Sequence, residues 1–424
     1  MRTMMLLTML LASAAAPATA ETVVVTADRM VDVIGGRVVD EPVIVITDGR
    51  IASVVGRGGG RPMIPEGAKR IDLPGKTILP GLIDMHVHLD SNPRYGGYSG
   101  LQFTDQFWTV QGVGNAKAML EAGFTTVRNV GSDNFADVAF KQAIDEGLMQ
   151  GPRIVPGAHA LSATGGHCDQ TYLPPSFQAK GKAVGDGAQE LRTRVREQRK
   201  YGAEVIKVCA TGGVFSRNTE PGQQQLSEDE LRAIADEAHQ WGLKTAAHAH
   251  GAAGIKAAIR AGIDTIEHAS LIDAEGIRLA KERGTWLAMD IYNTEYTQAE
   301  GKKNGVLEDN LRKDREIAQI QRDGFRAAHK AGAKMVFASD AGVMPHGEVG
   351  KQFRVMTEYG MTPMEAIQAA TRNAAQALGR ERDVGAIAVG RYGDIVAVDG
   401  DPLADIRQLE TVDVVIKGGT VVKD

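Results

Sequence analysis

Between Gly81 and Gly379 the chain repeats one unit, a short apolar run followed by a helical pattern. Eight such runs can be marked, at 82–88, 125–130, 154–156, 205–208, 245–248, 265–267, 286–288 and 335–338. Strands that alternate in series with helices pair in parallel, and eight of them close into a (β/α)8 TIM barrel. The helices between them carry their own start and stop signals. In SEDELRAIADEAHQWG, Ser227 is an N-cap, Glu230 completes a capping box and Gly242 stops the helix. The segment exceeds the usual barrel of about 250 residues. Its loops therefore carry insertions, the longest predicted over 157–190, 212–226 and 290–325.

The flanks follow a different grammar. TVVVTADRMVD, EPVIVITDGRIASVVG and KRIDLPGKTILPG precede the barrel, and GAIAVG, GDIVAVDG and TVDVVIKGGTVV follow it. These are β-rich runs, and Asp48-Gly49 marks a hairpin between two of them. The predicted class is α/β: a (β/α)8 barrel over 81–380, set into a small β-sandwich built from 21–80 and 381–424. Residues 1–20 read as a signal peptide. Arg2 leads an apolar run over 4–16, and Ala18-Thr19-Ala20 supplies the small residues of a cleavage site. Cleavage is expected before Glu21, with export to the periplasm or the medium. The run is too short to span a bilayer and no other run reaches that length, so no membrane partner is expected after cleavage. The net charge of −5 is interspersed and forms no basic stripe, which argues against nucleic acid. The two cysteines, Cys168 and Cys209, are expected to be separate thiols with Cys209 buried, although export would permit pairing.

Catalytic groups of a barrel sit at the C-terminal ends of its strands. Run one ends in His86-Val87-His88 and run five in His248-Ala249-His250. Alternate residues of a strand share a face, so each pair of imidazoles points one way. Run six ends in Glu267-His268, and MVFASD brings Asp340 to the end of run eight. A lone strand histidine is more often a hydrogen-bonded core residue, and an aspartate after a strand is more often a helix cap. Here, however, five of the chain's 10 histidines fall at these ends. Imidazole and carboxylate ligands suit zinc or a similar divalent ion, and one tetrahedral site takes three or four of them. The set therefore points to two metal ions.

The stretch GAEVIKVCATGG places Lys207 inside an apolar strand. An ammonium beside two dications is electrostatically untenable. A desolvated lysine loses its proton readily, and its neutral amine can add carbon dioxide. The carbamate that results is an anion with one oxygen for each metal.

The motif GLIDMHVHLD after a β-rich opening, lysine at strand four, histidines at strands five and six and aspartate at strand eight resemble the metal-dependent amidohydrolase superfamily. LSATGGH, IKVCATGGVFS, AAHAHG and TIEHAS are similar to its Xaa-Pro dipeptidase-like and ochratoxin amidohydrolase-like branch. The resemblance covers essentially the whole mature chain. It implies that His86, His88 and Asp340 hold the more buried metal, that carbamylated Lys207 bridges, and that His248 and His268 hold the second. It implies two divalent ions, zinc by preference, and a homo-oligomer.

The implied reaction is hydrolysis of an amide bond in dipeptides or N-acyl amino acids by a metal-bridging hydroxide, with Asp340 moving the proton. His167, in TGGHCD, and His250 are candidate donors to the developing oxyanion. Arg217 is a candidate for holding the substrate's carboxylate, and His159 a lesser candidate for the substrate site. A lactonase or esterase on the same centre is the alternative. A mononuclear deaminase is disfavoured because the position three after His248, where such sites place a glutamate, is Gly251. A non-catalytic scaffold is disfavoured because every ligand position is filled.

Overall fold

The computed structural model describes residues 21–60 and 62–424. The expected signal peptide over 1–20 lies outside the described residues.

The flanks join as expected. β1 (Thr22–Asp32), β2 (Arg37–Asp40), β3 (Val43–Thr47), β4 (Arg50–Val55) and β5 (Lys69–Pro80) precede the barrel. Hydrogen bonding continues from them into three strands of the C-terminal segment 395–423, in one eight-stranded sheet. The sheet curls over itself, and Gly393 N–H donates to the Gly49 carbonyl of the β3–β4 turn at 2.9 Å. The two layers expected of a sandwich are thus two halves of one curled sheet. Val25, Ile44, Ile46, Ile78, Ile395 and Ile416 fill the space between them. Burying such side chains stabilises by roughly 1.5–3 kcal/mol each, which ties the two chain ends together.

The barrel strands are β6 (Leu82–Val87), β7 (Phe124–Asn129), β8 (Arg153–Pro156), β9 (Val205–Cys209), β10 (Lys244–Ala249), β11 (Thr265–His268), β12 (Trp286–Ala288) and β13 (Met335–Val336). Every neighbouring pair within β6–β8 and within β9–β13 is parallel. Two seams complete the ring. At one, Leu161 N–H donates to the Lys207 carbonyl (2.9 Å) and the Leu161 carbonyl accepts from Cys209 N–H (2.8 Å). At the other, Met85 N–H reaches the Phe337 carbonyl (3.0 Å) and Asp340 N–H the His86 carbonyl (2.9 Å). The second seam places the ends of the first and last strands side by side, which brings the distant motifs HVH and SD together. β14 (Ile395–Asp399), β15 (Val414–Lys417) and β16 (Thr420–Lys423) then return to the small sheet.

Strand β6 is buried at every residue, as a parallel strand covered on both faces must be. The helix Glu228–Gln240 has the predicted capping box, with Glu230 N–H on Ser227 Oγ and Ser227 N–H on Glu230 Oε2. It turns Leu231, Ile234, Ala235 and Ala238 inward at helical spacing. One predicted loop is not a loop: 290–325 holds the helix Asn293–Glu300 and most of the helix Glu308–Lys330. The latter is rich in long polar residues but buries Leu311, Ile317, Phe325 and Ala328 along one stripe. Among the described residues no helix is long and apolar enough to cross a membrane.

Candidate metal centre and active site

At the C-terminal mouth of the barrel, His86, His88, His248, His250, His268, Lys207 and Asp340 line one cavity of about 320 Å³. The alternating pairs do point together. Ring centroids lie 4.8 Å apart for His86 and His268, and 4.6 Å apart for His268 with either His248 or His250. Two groups of donor atoms gather closely enough to hold an ion: His86, His88 and Asp340, and His248, His250 and His268. A third group joins His268 and Asp340 to Asp290.

Each imidazole has one nitrogen tied back to the protein and the other free. His86 Nδ1–H donates to Glu267 Oε2 (2.9 Å), His88 Nδ1–H to the Gly131 carbonyl (2.9 Å) and His268 Nδ1–H to Asp290 Oδ1 (2.9 Å). His250 Nδ1 meets Ser270 Oγ at 2.7 Å. His248 is reversed, with Nε2–H on the Gly212 carbonyl (3.2 Å), which leaves Nδ1 for the cavity. Such partners fix the tautomer and orient the ring of a metal-binding histidine. Burial holds His86, His248 and His250 well below the ordinary imidazole range, and His268 at about 3. All are therefore neutral, the form that binds metal.

The anions show the complementary pattern. Asp340 Oδ1 lies 3.4 Å from His86 Nε2 and 3.5 Å from His88 Nε2. Burial, and then the charge of Asp290, raise Asp340 well above the carboxylate range. A buried carboxylate held among neutral imidazoles lacks a cation, and a bound ion reverses this. The donor set thus fits a divalent metal. Lys207 is buried, with Nζ 3.5 Å from His86 Nε2. Burial lowers its ammonium to about 8, against the opposing pull of Glu267 and Asp340.

The strand ends are bent to aim these groups. His268 and Asp340 both hold left-handed backbone, with φ of 66° and 57°. Such geometry costs of order 1–3 kcal/mol at a non-glycine residue and concentrates at functional sites. Histidine and aspartate are among the residues that tolerate it.

Three residues without an assigned role in the sequence reading support the centre. Glu267 is fully buried and grips His86, while Arg128 grips Glu267. Arg128 donates to Glu267 Oε1 (2.7 Å), the Met85 carbonyl (2.7 Å) and Thr265 Oγ1 (2.8 Å). Asp290 ends strand seven in WLAMD, the same apolar-run-then-aspartate signal that marked Asp340 in MVFASD. Removing one partner of a buried ion pair leaves the other uncompensated. Arg128→Met is expected to lower unfolding free energy by about 3–5 kcal/mol in denaturant titration. It should also weaken metal affinity by roughly 10–100-fold through His86.

The remaining candidates divide. His167 lines the cavity, its ring stacked on His248 at 4.0 Å and its Nδ1 on Ser216 Oγ at 2.8 Å. His159 also lines it, but both ring nitrogens serve the wall: Nδ1 meets Gln198 Oε1 (3.2 Å) and Nε2 accepts Asn134 N–H (3.2 Å). Arg217 does not line it, contrary to expectation. Its guanidinium turns outward to Tyr98 Oη at 2.5 Å, a partner from a segment 119 residues away that spacing could not reveal. Lys182, unmarked in the sequence, lines the cavity instead.

Cys168 and Cys209 are also corrected. They form a disulfide, with Cα atoms 6.0 Å apart, because the loop after β8 folds back across the Lys207 strand. The bond fastens the segment next to His167 to the strand that carries Lys207.

Comparison with known proteins agrees with this geometry. The sequence profile of the Amidohydrolase family matches residues 77–422. Ochratoxinase of Aspergillus niger is 33% identical over 370 residues, which span 82% of this chain and 76% of that protein. A solved Xaa-Pro dipeptidase with bound methionine in its active site has a TM-score of 0.89 at 34% identity, covering 95% of this chain and 100% of that one. The A. niger ochratoxinase structure gives 0.83 at 30% identity, with 95% and 96% covered. A barrel that gathers five strand-end histidines, an aspartate and a buried lysine thus has its kin, and the chain belongs to the amidohydrolase family.

Proposed function

We propose that this amide-bond hydrolase uses two divalent ions, zinc by preference, and a carbamylated Lys207 to cleave dipeptides or N-acyl amino acids. One observation carries the reading. Two groups of ligand atoms share one cavity, and the charge of Lys207 is felt by all five imidazoles. Two cations that close need an anion between them. The neutral Lys207 amine supplies one by adding carbon dioxide: a nitrogen–carbon bond forms, one proton leaves to solvent, and a carboxylate with two oxygens results. His86, His88 and Asp340 would hold one ion, and His248 and His268 the other, with His250, the third member of that second group, left to meet the substrate.

Bound there, the ions supply a hydroxide nucleophile at neutral pH and polarise a carbonyl. Asp340 sits where it can take the attacking proton and hand it to the amide nitrogen, which leaves only when protonated. His167 and His250 each present a second ring nitrogen to the cavity and can donate to the oxygen that becomes negative. Lys182 replaces Arg217 as the candidate for the substrate's carboxylate.

Export is part of the proposal. The leader-like segment precedes the described residues, and a disulfide agrees with an oxidising compartment. A homo-oligomer is proposed on the resemblance to the branch.

The test is a panel of N-acyl amino acids and dipeptides varied at the C-terminal residue, with a matched ester and lactone. Amide hydrolysis is expected, abolished by a chelator and restored by about two zinc equivalents per chain. Cleavage of the ester and lactone alone, or activity that survives the chelator, overturns the reading.

A further inference from the structure

A second cavity of about 380 Å³ adjoins the metal centre. His88, Asp90, Ser91, Asp133, Phe215 and Val343 line both spaces, so the two communicate. Beyond that neck the walls are mostly apolar, formed by Tyr95, Leu101, Trp108, Tyr296 and Val306 with three backbone-only stretches at Gly96, Gly97 and Gly100, and with Asn92, Thr297 and Asn304 as their polar members. The aromatic wall is braced from behind. Tyr95 meets Phe103, Phe107 and Trp108 edge-on, at 4.8, 5.7 and 5.6 Å. Glycine there is required by space. A Cβ at Gly97 would come within 2.5 Å of the Gly305 carbonyl, and its φ of 58° is left-handed. These glycines let two loops close around the chamber without filling it.

We infer that this chamber is the subsite for the acyl side of the substrate, and that the group it takes is bulky, apolar and by preference aromatic. This rests on the amide-hydrolase reading above and deepens it. Charge decides which arm of the substrate enters. The chamber walls hold neither lysine nor arginine, so nothing in them pairs with an α-carboxylate, and the carboxylates at the neck, Asp90 and Asp133, do not draw one through. Lys182 lines the metal cavity and not the chamber, and among the described residues its amine has no ion-pair partner. The carboxylate of the leaving amino acid therefore stays by Lys182, and the acyl group passes the neck. Flat aromatic walls at a half-exposed site favour a ring by burial and by edge or face contacts.

The experiment compares kcat/KM for three amides of one C-terminal amino acid: N-acetyl, N-(2-naphthoyl) and L-tryptophanyl. The metal-loaded protein is expected to prefer the two large acyl groups over acetyl by on the order of 10- to 100-fold. The naphthoyl and tryptophanyl arms separate a plain aromatic acyl group from one whose ammonium pairs with Asp133. Val306→Trp, which fills the chamber, and Leu101→Ser, at an exposed wall position that folding tolerates, should each reduce the large-to-acetyl ratio by about 10-fold. Equal rates for all three amides overturn the inference and leave amide hydrolysis intact. A large-group preference that neither variant changes places the subsite elsewhere and also overturns it. Failure to cleave any of the three, acetyl included, sinks the underlying amide reading.

Discussion

Replacing Lys207 with alanine is expected to lower kcat/KM by about 10⁴-fold and to strip most of the bound metal. The two effects should appear together, because the lysine is proposed to hold the ions rather than to touch the substrate. Its environment suits the proposed modified form. The side chain is buried and lies beside His86, and burial already favours the neutral amine over the ammonium. An unmodified cation there would push away the ions that the histidines are arranged to bind. Metal content by mass spectrometry of the folded protein reads the first effect, and turnover the second. Short carboxylic acids, which can occupy the vacated space with two oxygens, should restore part of both. A Lys207→Ala protein that keeps two metal equivalents and normal turnover would remove the bridge from the mechanism.

Asp340→Asn should cost kcat about 10³-fold while metal binding weakens far less. Asparagine keeps the size of the side chain and tolerates the left-handed backbone that position 340 requires, so folding is preserved. What it cannot do is accept a proton and return it. The signature is in the pH profile of kcat, where the acidic limb of the wild-type protein should disappear in the variant. Loss of activity with an unchanged profile would assign Asp340 to holding the ion alone. Substrates with a good leaving group need no protonation of the departing atom, so activated esters should suffer less than amides.

Much of this centre was legible because a barrel puts its chemistry at one kind of place. His86, His88, His248, His268 and Asp340 fall at the ends of apolar runs, Lys207 interrupts one from within, and alternation on a strand fixes which way the paired histidines face. What escaped was everything that depends on closure of the ring. Arg128 and Glu267 belong to β7 and β11, which are not neighbours, and they meet only across the barrel interior. Nothing in either local sequence states that one neutralises the other. Asp290 escaped for a weaker reason, since its strand is only three residues long and gives little periodic signal. The segment 290–325 read as a loop because its apolar stripe is thin among charged residues. Arg217 was assigned from its loop alone, and the loop that draws it away begins more than a hundred positions earlier.

The bond between Cys168 and Cys209 has a practical consequence. One sulfur follows His167 directly and the other stands two positions past Lys207, so a broken bridge would loosen the loop of the histidine proposed to face the oxyanion while leaving the barrel strands paired. A chain produced where thiols stay reduced would carry every residue of the catalytic machinery and still be a weaker catalyst. Preparations of identical sequence from different hosts would then differ in specific activity according to the fraction of molecules cross-linked.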